Sequence, residues 1–111
     1  FKTTASGLKY AIIQEGEGEL VGKEKQATVH YSGFLLDGTK FDSSVERDEP
    51  FTFVVGVGQV IPGWDEGVQL MKKGSKARFI VPANLAYGDR DLGKIPPNST
   101  LIFDVEVLDV K

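Results

Sequence analysis

Cysteine is absent from this 111-residue chain, and histidine occurs once. Without cysteine there are no disulfides, no thiol nucleophile and no cysteine-ligated metal. One histidine leaves no His pair for a metal and makes a Ser-His or Cys-His catalytic arrangement untenable. No apolar run approaches the ~20 residues that a membrane-spanning helix requires. Nor is basic charge in excess: 13 Lys and Arg stand against 16 Asp and Glu, net −3, scattered with no basic stripe for nucleic acid. Internal repeats, linkers and low-complexity tracts are also missing.

What remains is ordinary globular composition, 41% hydrophobic and 26% charged, with enough chain for one core and one domain over residues 1–111. The chain opens on Phe1-Lys2 rather than on an initiator Met, as a segment cut from a longer protein would. Thirteen glycines and five prolines supply many turns, as a β-rich fold needs.

One helix is written clearly. Val60-Ile61-Pro62-Gly63-Trp64 closes an apolar run, and Trp64, Val68 and Met71 then recur at helical spacing. Pro62 suits a first helical turn, Asp65 and Glu66 the positive end of the helix dipole, and Lys72 and Lys73 its negative end. Gly74 reads as a left-handed stop, which predicts roughly three turns over Pro62 to Met71. Everything else reads as β. Strands are expected after Leu8, from Gln26 to Leu35, over Phe51–Val55, over Ala77–Val81 and from Leu101, where alternation is clearest. Asp37-Gly38 marks a tight turn. Ala83 to Thr100, with Pro96-Pro97, reads as a long ordered loop of functional character. The predicted class is α+β: a twisted antiparallel sheet of about five strands wrapped around one short helix.

Aromatic and branched residues fall at element ends and in loops, where packing alone does not require them: Tyr31, Phe41, Phe51, Val60, Ile61, Trp64, Tyr87, Ile95 and Phe103. Singly, each reads first as core, and Phe53 and Phe79 read only as core. Tyr87, in a loop between Ala86 and Gly88, offers ring area and a hydroxyl that suit binding. His30, within a strand, reads as structural. Asp104, Glu106 and Asp109 read as the solvated face of the last strand.

The motifs VHYSG (29–33), DGTKFDSS (37–44), VIPGWDEG (60–67), AYG (86–88) and IPPNSTLIFDV (95–105) run in order over nearly the whole chain. Together they resemble the FK506-binding family of peptidyl-prolyl isomerases. The resemblance implies a pocket between helix and sheet, floored by Trp64. Tyr31, Phe41, Phe51, Val60, Ile61 and Phe103 would line it, with Tyr87 and Ile95 from the long loop. Asp42 would sit at its edge beside Tyr31 and Arg47, and the Tyr87 hydroxyl and Ile61 N–H would hold carbonyls of a bound peptide or macrolide. Tyr31, Phe41, Asp42, Trp64, Tyr87 and Phe103 are the implied catalytic set; Arg47, Phe51, Gln59, Val60, Ile61 and Ile95 are the implied binding set.

The implied activity is rotation about X–Pro bonds, with no cofactor and no metal. Proline-containing peptides and unfolded clients would be substrates, and macrolides of the FK506 and rapamycin type inhibitors. Asp42 reads equally as a catalytic or a purely structural carboxylate. Two departures from the family pattern stand out. Gln59 replaces an acid at a position where ligands are held by backbone, and the 89–94 stretch is shorter and carries Lys94, which bears on macrolide affinity. A peptide-binding or chaperone module of low activity is the competing function, countered by the full set of pocket aromatics. The opening Thr4-Ala5-Ser6-Gly7-Leu8-Lys9-Tyr10 resembles bacterial members and leans toward the cell envelope, with the cytoplasm as alternative. The fragment alone is expected to be monomeric.

Overall fold

The computed structural model describes all residues, Phe1–Lys111. In chain order the elements are β1 (Lys2–Thr3), β2 (Lys9–Gln14), β3 (Gln26–Leu35), β4 (Lys40–Ser43), α1 (Ser44–Arg47), β5 (Phe51–Val54), α2 (Pro62–Val68), β6 (Lys76–Val81), a 3₁₀ turn (Ala83–Leu85) and β7 (Leu101–Val110). The strands form one antiparallel sheet in the order β1-β2-β6-β7-β3-β4, and β5 also pairs with β3.

The sheet therefore has seven strands where the pattern suggested about five. The additions are short. β1 has two residues, paired with Lys9 and Tyr10, and β4 has four. Neither is long enough to show an alternation.

One edge of β3 is divided. Gln26–Val29 pair with β5, Ser32–Phe34 pair with β4, and α1 fills the gap. At the gap the Tyr31 N–H has no strand partner, and the fully buried Ser44 of α1 accepts it through Oγ at 2.7 Å. The same Oγ is 2.8 Å from His30 Nδ1, so His30 supports this junction as a structural residue. The register β3 holds here fixes which way Tyr31 points.

Alternation along β7 buries Leu101, Phe103, Val105 and Val107. Leu108 keeps the outward phase of Ile102, Asp104 and Glu106, and a register shift against Thr28/Val29 then changes the phase and buries Val110. Against this face lies α2, which contributes Trp64 and Val68. Gly67 and Gly63, one turn apart, are what allow the approach: a Cβ would stand 2.8 Å from the Phe79 ring at Gly67 and 2.5 Å from Val81 at Gly63.

α2 is shorter than the periodicity implied. It ends at Val68, where the Gly67 carbonyl accepts from the Leu70 N–H, and a tight turn from Met71 N–H to the Val68 carbonyl follows. Met71 is buried at its helical spacing, but on a turn. Lys72 is already bridged to Leu20, so it lies beyond the helix dipole. Gly74 does take a positive φ, +90°, in the turn into β6 rather than at the helix end.

Candidate functional site

A cavity of about 660 Å³ opens between α2, the sheet and the loop after β6, within the usual size of a small-ligand pocket. Trp64, 4% exposed, forms its floor, because Pro62 starts the helix and places residue 64 against the sheet. Tyr31 meets Trp64 edge-on at 4.9 Å and Phe103 meets it at 5.3 Å. Phe41 stands edge-on to Phe103 at 5.6 Å, and Phe51 completes that side at 6.3 Å from Trp64. Each ring stiffens its neighbour, since edge-to-face pairs hold a geometry as well as burying area.

The polar end is built by β3, β4 and α1 together. The Tyr31 hydroxyl donates to Asp42 Oδ2 at 2.5 Å, Arg47 Nη1 donates to Asp42 Oδ1, and Arg47 Nη2 donates to the Tyr31 hydroxyl at 3.1 Å. The Ser43 N–H adds a third bond to Asp42 at 2.9 Å. Partial burial opposes ionisation of Asp42, but Tyr31 and Arg47 outweigh it and hold the carboxyl below its ordinary range. Burial and the bond to Asp42 push the Tyr31 phenol up, and the two partners push Arg47 up. The triad at neutral pH is thus a carboxylate, a guanidinium and a neutral phenol.

Several donors of the lining are left over, among them the buried Trp64 Nε1. The Ile61 N–H, just before Pro62, is taken by no carbonyl or side chain of the protein, and the Tyr87 hydroxyl likewise has no protein partner. Burial, with the charge of Asp42 adding to it, raises the Tyr87 phenol so that it stays protonated. Tyr87 is held by a loop ordered through its own backbone: Gly88 N–H to the Ala83 carbonyl, Arg90 N–H to Tyr87, and Asn98 N–H to Gly88 at 2.7 Å.

Ten of the twelve residues singled out from the sequence line this one cavity: Tyr31, Phe41, Asp42, Phe51, Gln59, Val60, Ile61, Trp64, Tyr87 and Phe103. Arg47 does not line it and reaches it through Tyr31 and Asp42. Ile95 is 7% exposed and packs into the core beneath the loop, away from the lining. Asn84, Ala86, Gly88 and Arg90 also line the wall, and sequence reading had not singled them out. Their proximity to Tyr87 in the chain was the available signal.

A family model described as FKBP-type peptidyl-prolyl cis-trans isomerase matches residues 17–108. The chain is 53% identical over 110 residues to the FKBP-type peptidyl-prolyl cis-trans isomerase FkpA of Aeromonas hydrophila, covering 99% of this chain and 40% of that protein. It is 51% identical over 105 residues to an FK506-binding protein of Neisseria meningitidis, covering 94% and 96%. The crystal structure of FkpA from Escherichia coli superimposes with a TM-score of 0.91 at 47% identity, over 99% of this chain and 51% of that one. That of AtFKBP13 does so with 0.94 at 39% identity, over 98% and 97%. The chain therefore spans about 40% of the length of the FkpA relatives it matches.

Proposed function

This chain belongs to the FKBP-type peptidyl-prolyl cis-trans isomerase family, and from that premise we propose that its aromatic pocket accelerates rotation about X–Pro bonds in flexible peptides and unfolded proteins. The observation that carries the reading is one aromatic-lined cavity in which the Ile61 N–H and the Tyr87 hydroxyl have no partner in the protein, above a Trp64 floor whose own indole N–H is also unpartnered.

Rotation about a peptide bond costs ~18–20 kcal/mol because the amide loses its resonance, and X–Pro bonds turn over in tens to hundreds of seconds unaided. No bond to substrate has to form. The twisted amide is less polar than the planar one, so an aromatic-lined cavity favours it, and catalysis consists of binding that form better than either planar isomer. Proline packs on Trp64 between Tyr31, Phe41 and Phe103. The Ile61 N–H and the Tyr87 hydroxyl hold flanking carbonyls, which keeps the rest of the peptide still while one bond turns. Asp42 and Arg47 fix the Tyr31 ring as one wall. Macrolides of the FK506 type compete for the same space.

The test is cis-to-trans isomerisation of a Leu-Pro-Phe peptide in a protease-coupled assay, with and without FK506. Wild type should exceed the uncatalysed rate and be blocked by the drug. Tyr87→Phe should lose about 2–10-fold in kcat/KM, the worth of one hydrogen bond, with no loss of stability, since that hydroxyl bonds nothing in the protein. Wild-type turnover at the uncatalysed rate would overturn the isomerase assignment.

A further inference from the structure

Between β5 and α2 the chain makes a loop, Val55–Ile61, that carries Val60 and the free Ile61 N–H into the pocket wall. Gly56 and Gly58 both take left-handed backbone, φ +84° and +82°. Their N–H groups converge on one anion. The anion is the protein's own. Gly56 N–H donates to Asp65 Oδ1 at 2.9 Å, and Gly58 N–H donates to Asp65 Oδ2 at 2.8 Å. At the other end of the loop the Val54 N–H, on the outer edge of β5, donates to Gln59 Oε1 at 2.9 Å. The Asp65 N–H in turn donates to the Ile61 carbonyl at 3.1 Å.

We infer that Asp65 is a positioning residue for the pocket: its two carboxylate oxygens, with Gln59 as a third tie, lock the loop bearing Val60 and the Ile61 N–H to the helix bearing Trp64. Floor and wall then move as one body, and the distance from Trp64 to the Ile61 donor is set before any peptide arrives. Gln59 acts through its side chain on β5, which frees its own backbone. The residue thus lines the cavity and braces it. The inference rests on the reading of this cavity as the peptide site.

An acid early in α2 would also stabilise the helix dipole without touching the loop. Glu66 separates the two roles. It is the next residue on the same helix, and its Oε1 is engaged by Thr4 and Ser6 at 2.8 and 2.6 Å, away from the loop.

The experiment compares Asp65→Ala, Asp65→Asn and Glu66→Ala by amide hydrogen exchange, FK506 affinity and peptide kcat/KM. In Asp65→Ala, exchange at Gly56 and Gly58 should accelerate about tenfold or more, and FK506 affinity and kcat/KM should each fall by about tenfold. Asp65→Asn keeps one acceptor oxygen and should fall between, and it carries the test alone if Asp65→Ala does not fold. Glu66→Ala should leave all three readouts within about twofold. Unchanged exchange at Gly56 and Gly58 in Asp65→Ala would overturn the inference. So would faster exchange with affinity retained, or Glu66→Ala losing as much affinity as Asp65→Ala. Should wild type itself fail to turn over peptide, the isomerase reading falls, and the exchange and FK506 arms still decide the role of Asp65.

Discussion

Removing one oxygen from Tyr31 isolates the polar end of the pocket. In Tyr31→Phe the ring keeps its contacts with Trp64 at 4.9 Å and with Phe51 and Phe103 at 6.4 and 6.5 Å, so packing is conserved. What disappears is a donor to Asp42 at 2.5 Å and an acceptor for Arg47 at 3.1 Å. A hydrogen bond to a charged group contributes about 1.5–3 kcal/mol. The Asp42 and Arg47 side chains are 38% and 46% exposed, so water replaces much of the loss and about 1 kcal/mol survives at neutral pH. For a domain of this size that is a fall in Tm of about 5 °C.

The pH dependence supplies the sharper signature. The Asp42 pKa is lowered in the folded state, so its contribution is complete above the ordinary carboxylate value of about 3.9 and is lost as pH falls through the folded value. Against the opposing effect of burial, the Tyr31 hydrogen bond is the largest single contribution to that lowering, and Arg47 adds both a hydrogen bond and its charge. The gap between wild type and Tyr31→Phe should therefore be full at pH 7 and shrink progressively as pH falls below the ordinary carboxylate value and through the lowered Asp42 value. Thermal unfolding followed by circular dichroism over a series of acid pH values measures it. A gap that is absent at pH 7, or undiminished in acid, would refute the account of this triad.

Two further outcomes follow from the same geometry. Gly67→Ala exchanges a poor helix former for the best one, a gain of about 1 kcal/mol in an open helix, but its Cβ would stand 2.8 Å from the buried Phe79 ring. Overpacking of that kind costs about 1–3 kcal/mol, so thermal denaturation should show a net loss, and a variant more stable than wild type would contradict the close approach of α2 to β6. In alkali, the raised phenols of Tyr31 and Tyr87 mean that their contribution is intact below about pH 10 and is lost as pH rises through their folded values. Wild type should lose stability above about pH 10 more steeply than the Tyr31→Phe/Tyr87→Phe double variant; coincident slopes would refute it.

The pocket was legible through the family motifs, which implied its lining. Local pattern alone placed Trp64 on a helix begun by Pro62 and Phe103 on the inner face of β7, and read both first as core. β1 and β4 were invisible as strands because two and four residues carry no period; they exist through antiparallel pairing with the neighbouring β2 and β3. The end of α2 was misplaced for a related reason. Met71 keeps helical spacing and is buried, but the Gly67 carbonyl ends the ladder, and hydrophobic spacing does not distinguish a helix from the turn that continues it. Ile95 read as a site residue because it sits in the long loop, whereas its side chain anchors that loop to the core. The Asp65 tie was hidden altogether, since an acid in a first helical turn already has a sufficient local explanation.

The order of the strands bears on how the chain reaches this state. β7 is the last element, yet it lies between β6 and β3 at the middle of the sheet, and the Lys111 backbone bonds Gln26 in both directions. The pairing of β3 with β7 cannot form while β7 is still unmade, so in a chain emerging from the ribosome the residues before Leu101 have no middle to their sheet. Loops this long close slowly, and folds dominated by such pairings take milliseconds to seconds. Assembly of the domain is therefore slow, completed only when β7 arrives to join the two halves of the sheet.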